Sequence, residues 1–204
     1  MKFDNKVLIE LRNFYKKIFI LFIETVNKLD IEWYVDHGCL ISMLRYGKHC
    51  GEIGNKYNWV DGDIDIKVLN TDKEKLIKGL DKVFKKHPRF YKFVIKKTDS
   101  RKRPIDRIDY RFHYYKDFKS EYNWQLILSL FFYKYNKGTN HIIDSLSQWK
   151  GKINANIIYP FKKLKFFNYT LNCPNKYIYY LKNVRNKKYD KGSVAYPCNW
   201  SIML

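Results

Sequence analysis

The chain has 204 residues, 46% hydrophobic and 18% aromatic, enough for one folded domain with a sizeable core, which argues against intrinsic disorder. Its formal charge of +20, from 40 basic and 20 acidic residues, attracts polyanions such as nucleic acid, anionic membrane, nucleotide or phosphorylated glycan. An A/T-rich coding bias, rich in lysine, asparagine, isoleucine and tyrosine, produces the same excess, so charge alone assigns no function.

The first residues, Met1 to Asn5, carry an early acid and no small-residue cleavage site, a poor signal peptide. The uncharged apolar run from Ile18 to Ile23 falls far short of the roughly 20 residues that span a bilayer. The expectation is a cytosolic protein without a transmembrane segment. Cys39, Cys50, Cys173 and Cys198 show no C-x-x-C spacing, so they read as isolated reduced thiols.

Leu8, Leu11, Tyr15, Ile18, Phe22 and Val26 recur at intervals of three and four and predict an amphipathic helix over 5–29. Ile31 to Val35 predicts a short strand ending at Asp36-His37-Gly38, and Cys39 to Tyr46 a helix opening after that glycine. A glycine between strand and helix lets backbone approach a ligand, and the N–H groups at a helix start suit a phosphate. Ser42 and Arg45, a turn apart, offer a hydroxyl and a guanidinium to the same phosphate, although Arg45 also reads as an ordinary exposed arginine. Residues 47–59 read as a loop.

From Gly62 to Val68 the chain alternates. Ile64, Ile66 and Val68 fall on one face of a strand, and Asp63, Asp65 and Lys67 on the other. Side chains two apart sit about 7 Å from each other, so the strand holds two carboxylates side by side, and Mg²⁺ or Mn²⁺ relieves their repulsion. An EF-hand loop is excluded, because its glycine and glutamate positions hold Ile66 and Asp72.

Thr71 and Glu74 form a capping box for a helix to about Lys86, with Leu76, Leu80, Val83 and Phe84 as its apolar face. Arg89 to Lys96 predicts a strand, and Arg107 to Tyr114 another. On the latter Asp109 shares the polar face with Arg107, Arg111 and His113, and Asp106 falls on the opposite face. Asp109 is either a third metal ligand or base supplied by a neighbouring strand, or a carboxylate paired with its arginines on a solvated face. The apolar run from Asn123 to Tyr135 fits strand and helix equally. His141 to Trp149 predicts a helix, residues 157–161 and 165–170 predict extended segments, and Pro174 suits the first position of a helix carrying Tyr177, Ile178 and Leu181.

In this order the motifs resemble the LicD family of phosphotransferases, which includes phosphocholine transferases and, more distantly, fukutin-type ribitol-phosphate transferases. The resemblance runs through Gly38 to Arg45, Val60 to Ile66, Ile108-Asp109-Tyr110, Tyr159 to Leu164 and Pro174 to Leu181, over about residues 5–190. The chain departs from the pattern where Val60 and Gly62 replace a tryptophan and the middle aspartate of an acidic triplet, where Cys39 and Ser42 follow Gly38, and in its shorter stretch after Asp109.

The resemblance implies a single α/β domain over 1–204, a nucleotidyltransferase-like mixed sheet flanked by helices. It implies Mg²⁺ or Mn²⁺ held by Asp63, Asp65 and Asp109, with Asp61 as a lesser ligand, and a donor held by Gly38, Ser42 and Arg45. The implied reaction moves phosphocholine or ribitol phosphate from a CDP-linked donor to a glycan hydroxyl. Two alternatives stay open: a nucleotidyltransferase moving NMP from an NTP to RNA, protein or a small molecule, and an inactive basic protein binding nucleic acid or anionic glycan. No recognised nucleic-acid-binding motif supports the last.

Overall fold

The computed structural model describes residues 5–46, 63–87, 90–98, 104–113, 125–144 and 151–184. Helix α1 (Asn5–Lys28) buries Leu11, Tyr15, Ile18, Phe22 and Val26, the stripe its periodicity predicts. Strand β1 (Trp33–Val35) and helix α2 (His37–Tyr46) follow, then strand β2 (Asp63–Leu69). A 3-10 turn (Asn70–Asp72) leads into helix α3 (Lys73–Phe84), which buries Leu76, Leu80 and Phe84. Strands β3 (Phe90–Thr98), β4 (Pro104–His113) and β5 (Gln125–Asn136) complete the large sheet with the short β6 (His141–Ile143) and β7 (Lys152–Asn154).

The fold is mixed α/β. Its seven-stranded sheet runs β1-β2-β5-β4-β3, with β6 joined to β5 and β7 to β6. The β2–β5 pairing is parallel and the rest are antiparallel, so the sheet is mixed. A separate hairpin pairs β8 (Lys162–Phe166) with β9 (Tyr169–Cys173), and a short helix α4 (Tyr177–Tyr179) continues as a π-turn through Val184. No helix among the described residues is long and apolar enough to cross a membrane.

One face of the sheet carries Ile64, Ile66 and Val68, Leu126, Leu128 and Leu130, and Ile108, Tyr110 and Phe112, all buried. The helices lie on it. The Phe84 ring of α3 stands 4.9 Å from Phe112, the Phe14 ring of α1 lies 6.5 Å from the same Phe112, and Phe22 meets Trp33 at 5.1 Å. Asp106 also points this way, to Lys73 of α3 at 2.6 Å. Gly79 lets α3 approach α1 closely, since a Cβ there would sit 2.5 Å from Leu29 Cδ1.

Four segments differ from the sequence expectation, two of them because distant partners claim the backbone. Residues 141–143 form a strand instead of starting a helix, with Ile142 opposite Tyr135 of β5 and Ile153 of β7. The Thr71–Glu74 capping box is absent. Asn70 O instead accepts the Lys73 N–H in a 3-10 turn, and Asp72 precedes α3 without a side-chain cap bond. Pro174 does not open its helix, because the next two N–H groups, of Asn175 and Lys176, bond to Ile158 O and Ile157 O. Residues 155–157 are a 3-10 turn, and residues 167–168 are the turn of the β8–β9 hairpin, so the two extended segments were misplaced by a few residues.

The other face of the sheet is polar yet partly buried. Lys67 Nζ lies 2.8 Å from Asp144 Oδ1, with both side chains 1% exposed. Removing one partner strands the other charge in the interior, whereas removing both does not. Lys67→Met alone is therefore expected to cost about 3–5 kcal/mol in urea unfolding. Lys67→Met combined with Asp144→Leu should lose less than either single change.

Candidate functional site

Residues opposite one another on adjacent strands point to the same face, so the register fixes which side chains meet. Asp65 of β2 and Asp109 of β4 both stand opposite Ser129 of β5. The neighbouring rows are Asp63–Ile127–Arg111 and Lys67–Phe131–Arg107. Three acids and three bases thus share one face, on strands whose opposite face is the apolar core. Asp63 and Asp65 face the same way, as their alternation predicts.

Asp109 is not on a strand neighbouring β2, because β5 lies between them. At the usual strand spacing this places Asp65 and Asp109 about 10 Å apart at Cα. Nor is its surface solvated, since Asp109 is fully buried. Arg107 closes a fork on it, Nε and Nη2 each 2.6 Å from a carboxylate oxygen, Arg111 Nη2 approaches at 3.4 Å, and Ser129 Oγ donates at 3.1 Å. Arg107 is held charged chiefly by these bonds. The Arg107 and Arg111 side chains remain about a third exposed, 30% and 31%, beside the fully buried Asp109. Arg107 also lies over the Phe131 ring at 5.2 Å, which Lys67 approaches at 5.0 Å.

The strand–helix turn sits directly beside the acids. Asp36 N–H donates to Asp65 O at 3.0 Å, and Asp36 O already accepts from Leu40 N–H, so the helix begins at His37. Gly38 therefore lies inside the first turn of α2, and the positive φ of 45° falls on His37. The buried Asp36 carboxylate accepts from Tyr180 Oη at 3.0 Å, which ties α4 and its π-turn to this corner. Asp63 O faces Tyr15 Oη at 3.5 Å and Cys39 Sγ at 3.7 Å, holding the start of β2 against α1 and α2.

Ser42 and Arg45 lie on α2, but their side chains are outside what the structure describes, as are Asp61 and the 47–59 loop. Cys39 and Cys173 are buried thiols, and Cys50 and Cys198 lie outside the described residues. Residues 107, 111, 37 and 67 were not singled out for the site from sequence. For 107, 111 and 67 the signal was the alternation of β4 and β2, which put them on the acid face; His37, at the start of α2, carried no such signal.

Burial raises the Asp63 carboxyl above its ordinary range, Asp109 adds to the shift, and Arg107 and Arg111 oppose it. Two carboxylates side by side on one face, presenting hard oxygen donors, suit a divalent cation that relieves their repulsion. Among the described residues no three His, Cys, Asp or Glu side chains stand close enough to hold one ion, so Asp63 and Asp65 fit as a pair while Asp109 is committed to arginine. The chain matches no protein-family model, and no curated protein matches it significantly.

His37 packs its ring 5.5 Å from Phe131 and lies 3.7 Å from Asp36 Oδ2. Burial, then the Lys67 charge, lowers its pKa from 6.5 to about 3, with Arg107 lowering it and Asp144 and Asp63 raising it. The imidazole is neutral in the folded protein. Because the folded pKa is the lower one, the unfolded chain takes up a proton that the folded chain refuses, and stability falls as pH drops from 6.5 toward 3. The His37 ring signals in NMR should stay unchanged between about pH 7 and 5, where an ordinary histidine titrates. His37→Asn should remove part of the acid destabilisation seen in thermal melts.

Proposed function

We propose that the protein is a metal-dependent phosphotransferase with a nucleotidyltransferase-like core, moving a phospho-alcohol group from a CDP-activated donor to a glycan hydroxyl. The observation that carries this reading is the placement of Asp63 and Asp65 side by side on one face, against the α2 turn and on the same sheet face as two partly exposed arginines. Carboxylates for a cation, guanidiniums for phosphate oxygens and a helix start in one corner are the parts that phosphoryl transfer needs. The resemblance to LicD phosphotransferases in the order of motifs supplies the donor and acceptor classes.

Asp63 and Asp65 would hold Mg²⁺ or Mn²⁺. Such an ion, when bound, neutralises the donor diphosphate and stabilises the departing nucleotide phosphate. The protein itself supplies orientation. The Asp36–Asp65 backbone bond keeps the start of α2 beside the acids, where its N–H groups favour an anion. The neutral His37 ring adds a polar group without repelling a metal. The Phe131 ring lies under Arg107, and Lys67 of the buried Lys67–Asp144 pair approaches the same ring.

The test is turnover with Mg²⁺ and labelled CDP-choline or CDP-ribitol, run beside labelled NTPs. CMP release supports the reading, whereas pyrophosphate release from an NTP supports transfer of NMP instead. Asp63→Asn and Asp65→Asn should each lower metal-dependent turnover on the order of a hundredfold or more while leaving the thermal melt close to wild type. Turnover that survives both changes would end the proposal.

A further inference from the structure

The sequence offers Asp109 as a metal ligand or base, and the geometry points elsewhere. A carboxylate that is fully buried and closed in a two-point arginine fork has both oxygens engaged, by Arg107 on each and by Ser129 on one. Such a group is a poor proton acceptor and a poor ligand. It is well suited to hold guanidiniums, because two bonds to a planar fork fix the plane as well as the position.

Arg107 and Arg111 flank Asp109 on the same strand face, two residues to either side, and each side chain stays about a third exposed. Arg107 is fixed further by the Phe131 ring below it. Arg111 shares its row with Asp63, and Arg107 stands in the row next to Asp65. Both arginines thus share the sheet face of the carboxylate pair, one strand removed from it and within the reach of their long side chains, where the phosphates of a metal-bound diphosphate would lie. Arginine side chains are flexible in water, and holding two of them in place beforehand removes an ordering cost from binding.

We infer that Arg107 and Arg111 form the diphosphate grip of this site, and that Asp109 is the positioning residue that holds them rather than a ligand of the metal. The inference rests on the phosphotransferase reading and deepens it by assigning two side chains of β4 to the donor's phosphates, alongside the α2 start. It separates two functions on one sheet face: β2 serves the cation, and β4 serves the phosphates.

Two titrations on the full chain test it: Mn²⁺ alone, and CDP in the presence of Mg²⁺. Arg107→Gln should weaken CDP binding about tenfold, the scale of a lost charge-assisted bond, with Arg111→Gln smaller in the same direction. Asp109→Asn should weaken CDP binding several-fold and leave Mn²⁺ affinity as in wild type, whereas Asp63→Asn should lose the Mn²⁺. Should Asp109→Asn not fold, Arg107→Lys carries the test. It keeps the charge but lacks the planar fork that fixes the guanidinium, and should lose CDP affinity without changing Mn²⁺ affinity.

An Asp109→Asn protein that loses Mn²⁺ as Asp63→Asn does would make Asp109 a ligand and overturn the inference. So would an Arg107→Gln protein that binds CDP as wild type does. Either result would leave the phosphotransferase reading standing if Asp63→Asn still abolishes turnover. A wild-type protein that binds neither Mn²⁺ nor CDP would overturn both.

Discussion

Because β5 runs parallel to β2, with Asp63 opposite Ile127 and Leu69 opposite Tyr133, every polar side chain of the candidate site has a fixed neighbour. A slip of one residue would turn Ile64, Ile66 and Val68 to the polar face and bury Asp63 and Asp65 against the helices. The ten leucine, isoleucine, valine and aromatic side chains of β2, β4 and β5 on the helix face (64, 66, 68, 108, 110, 112, 126, 128, 130 and 132) are all buried, so that slip would expose much of the core. Hydrophobic burial on one side therefore holds the charges in register on the other.

The polar face then has to satisfy what it encloses. Lys67, Asp109, Asp36 and Asp144 are all fully or almost fully buried, and each has a partner from another element or from its own strand. Lys67 of β2 reaches Asp144 at the end of β6, and Asp36 before α2 receives Tyr180 from the π-turn. These contacts bind the short C-terminal elements to the corner that carries the acids. Ion pairs of this kind add little net stability compared with apolar packing. They do discriminate between arrangements, because a misplaced C-terminal segment would leave buried charges unpaired.

The local code was legible where one face of an element was apolar and the other was not. The stripe on α1, the alternation of β2 and β4, and the core face of α3 follow from periodicities of 3.6 and 2 that tertiary structure keeps. Two expectations failed where backbone partners came from far away. Pro174 looked like a helix start, but Asn175 and Lys176 spend their N–H groups on residues 158 and 157. His141 looked helical, but a two-sided pairing with β5 and β7 makes its neighbours a strand. The apolar run from Asn123 to Tyr135 fitted strand and helix equally because a central strand, here Gln125–Asn136, covered on both faces loses its alternation, as Phe131, Phe132 and Tyr133, buried in succession, show.

By itself the sequence determined that two carboxylates stand on one face of a β-strand, and that Asp109 shares a strand face with two arginines. Both follow from the chain's own geometry over a few residues. Only the tertiary structure decided that β5 enters between these strands, that Asp109 is enclosed by its arginines rather than open to solvent, and that the helix start at His37 lies beside Asp65. Those outcomes depend on which strands pair and in what register, and pairing is settled by burial summed over the whole core rather than by any local motif.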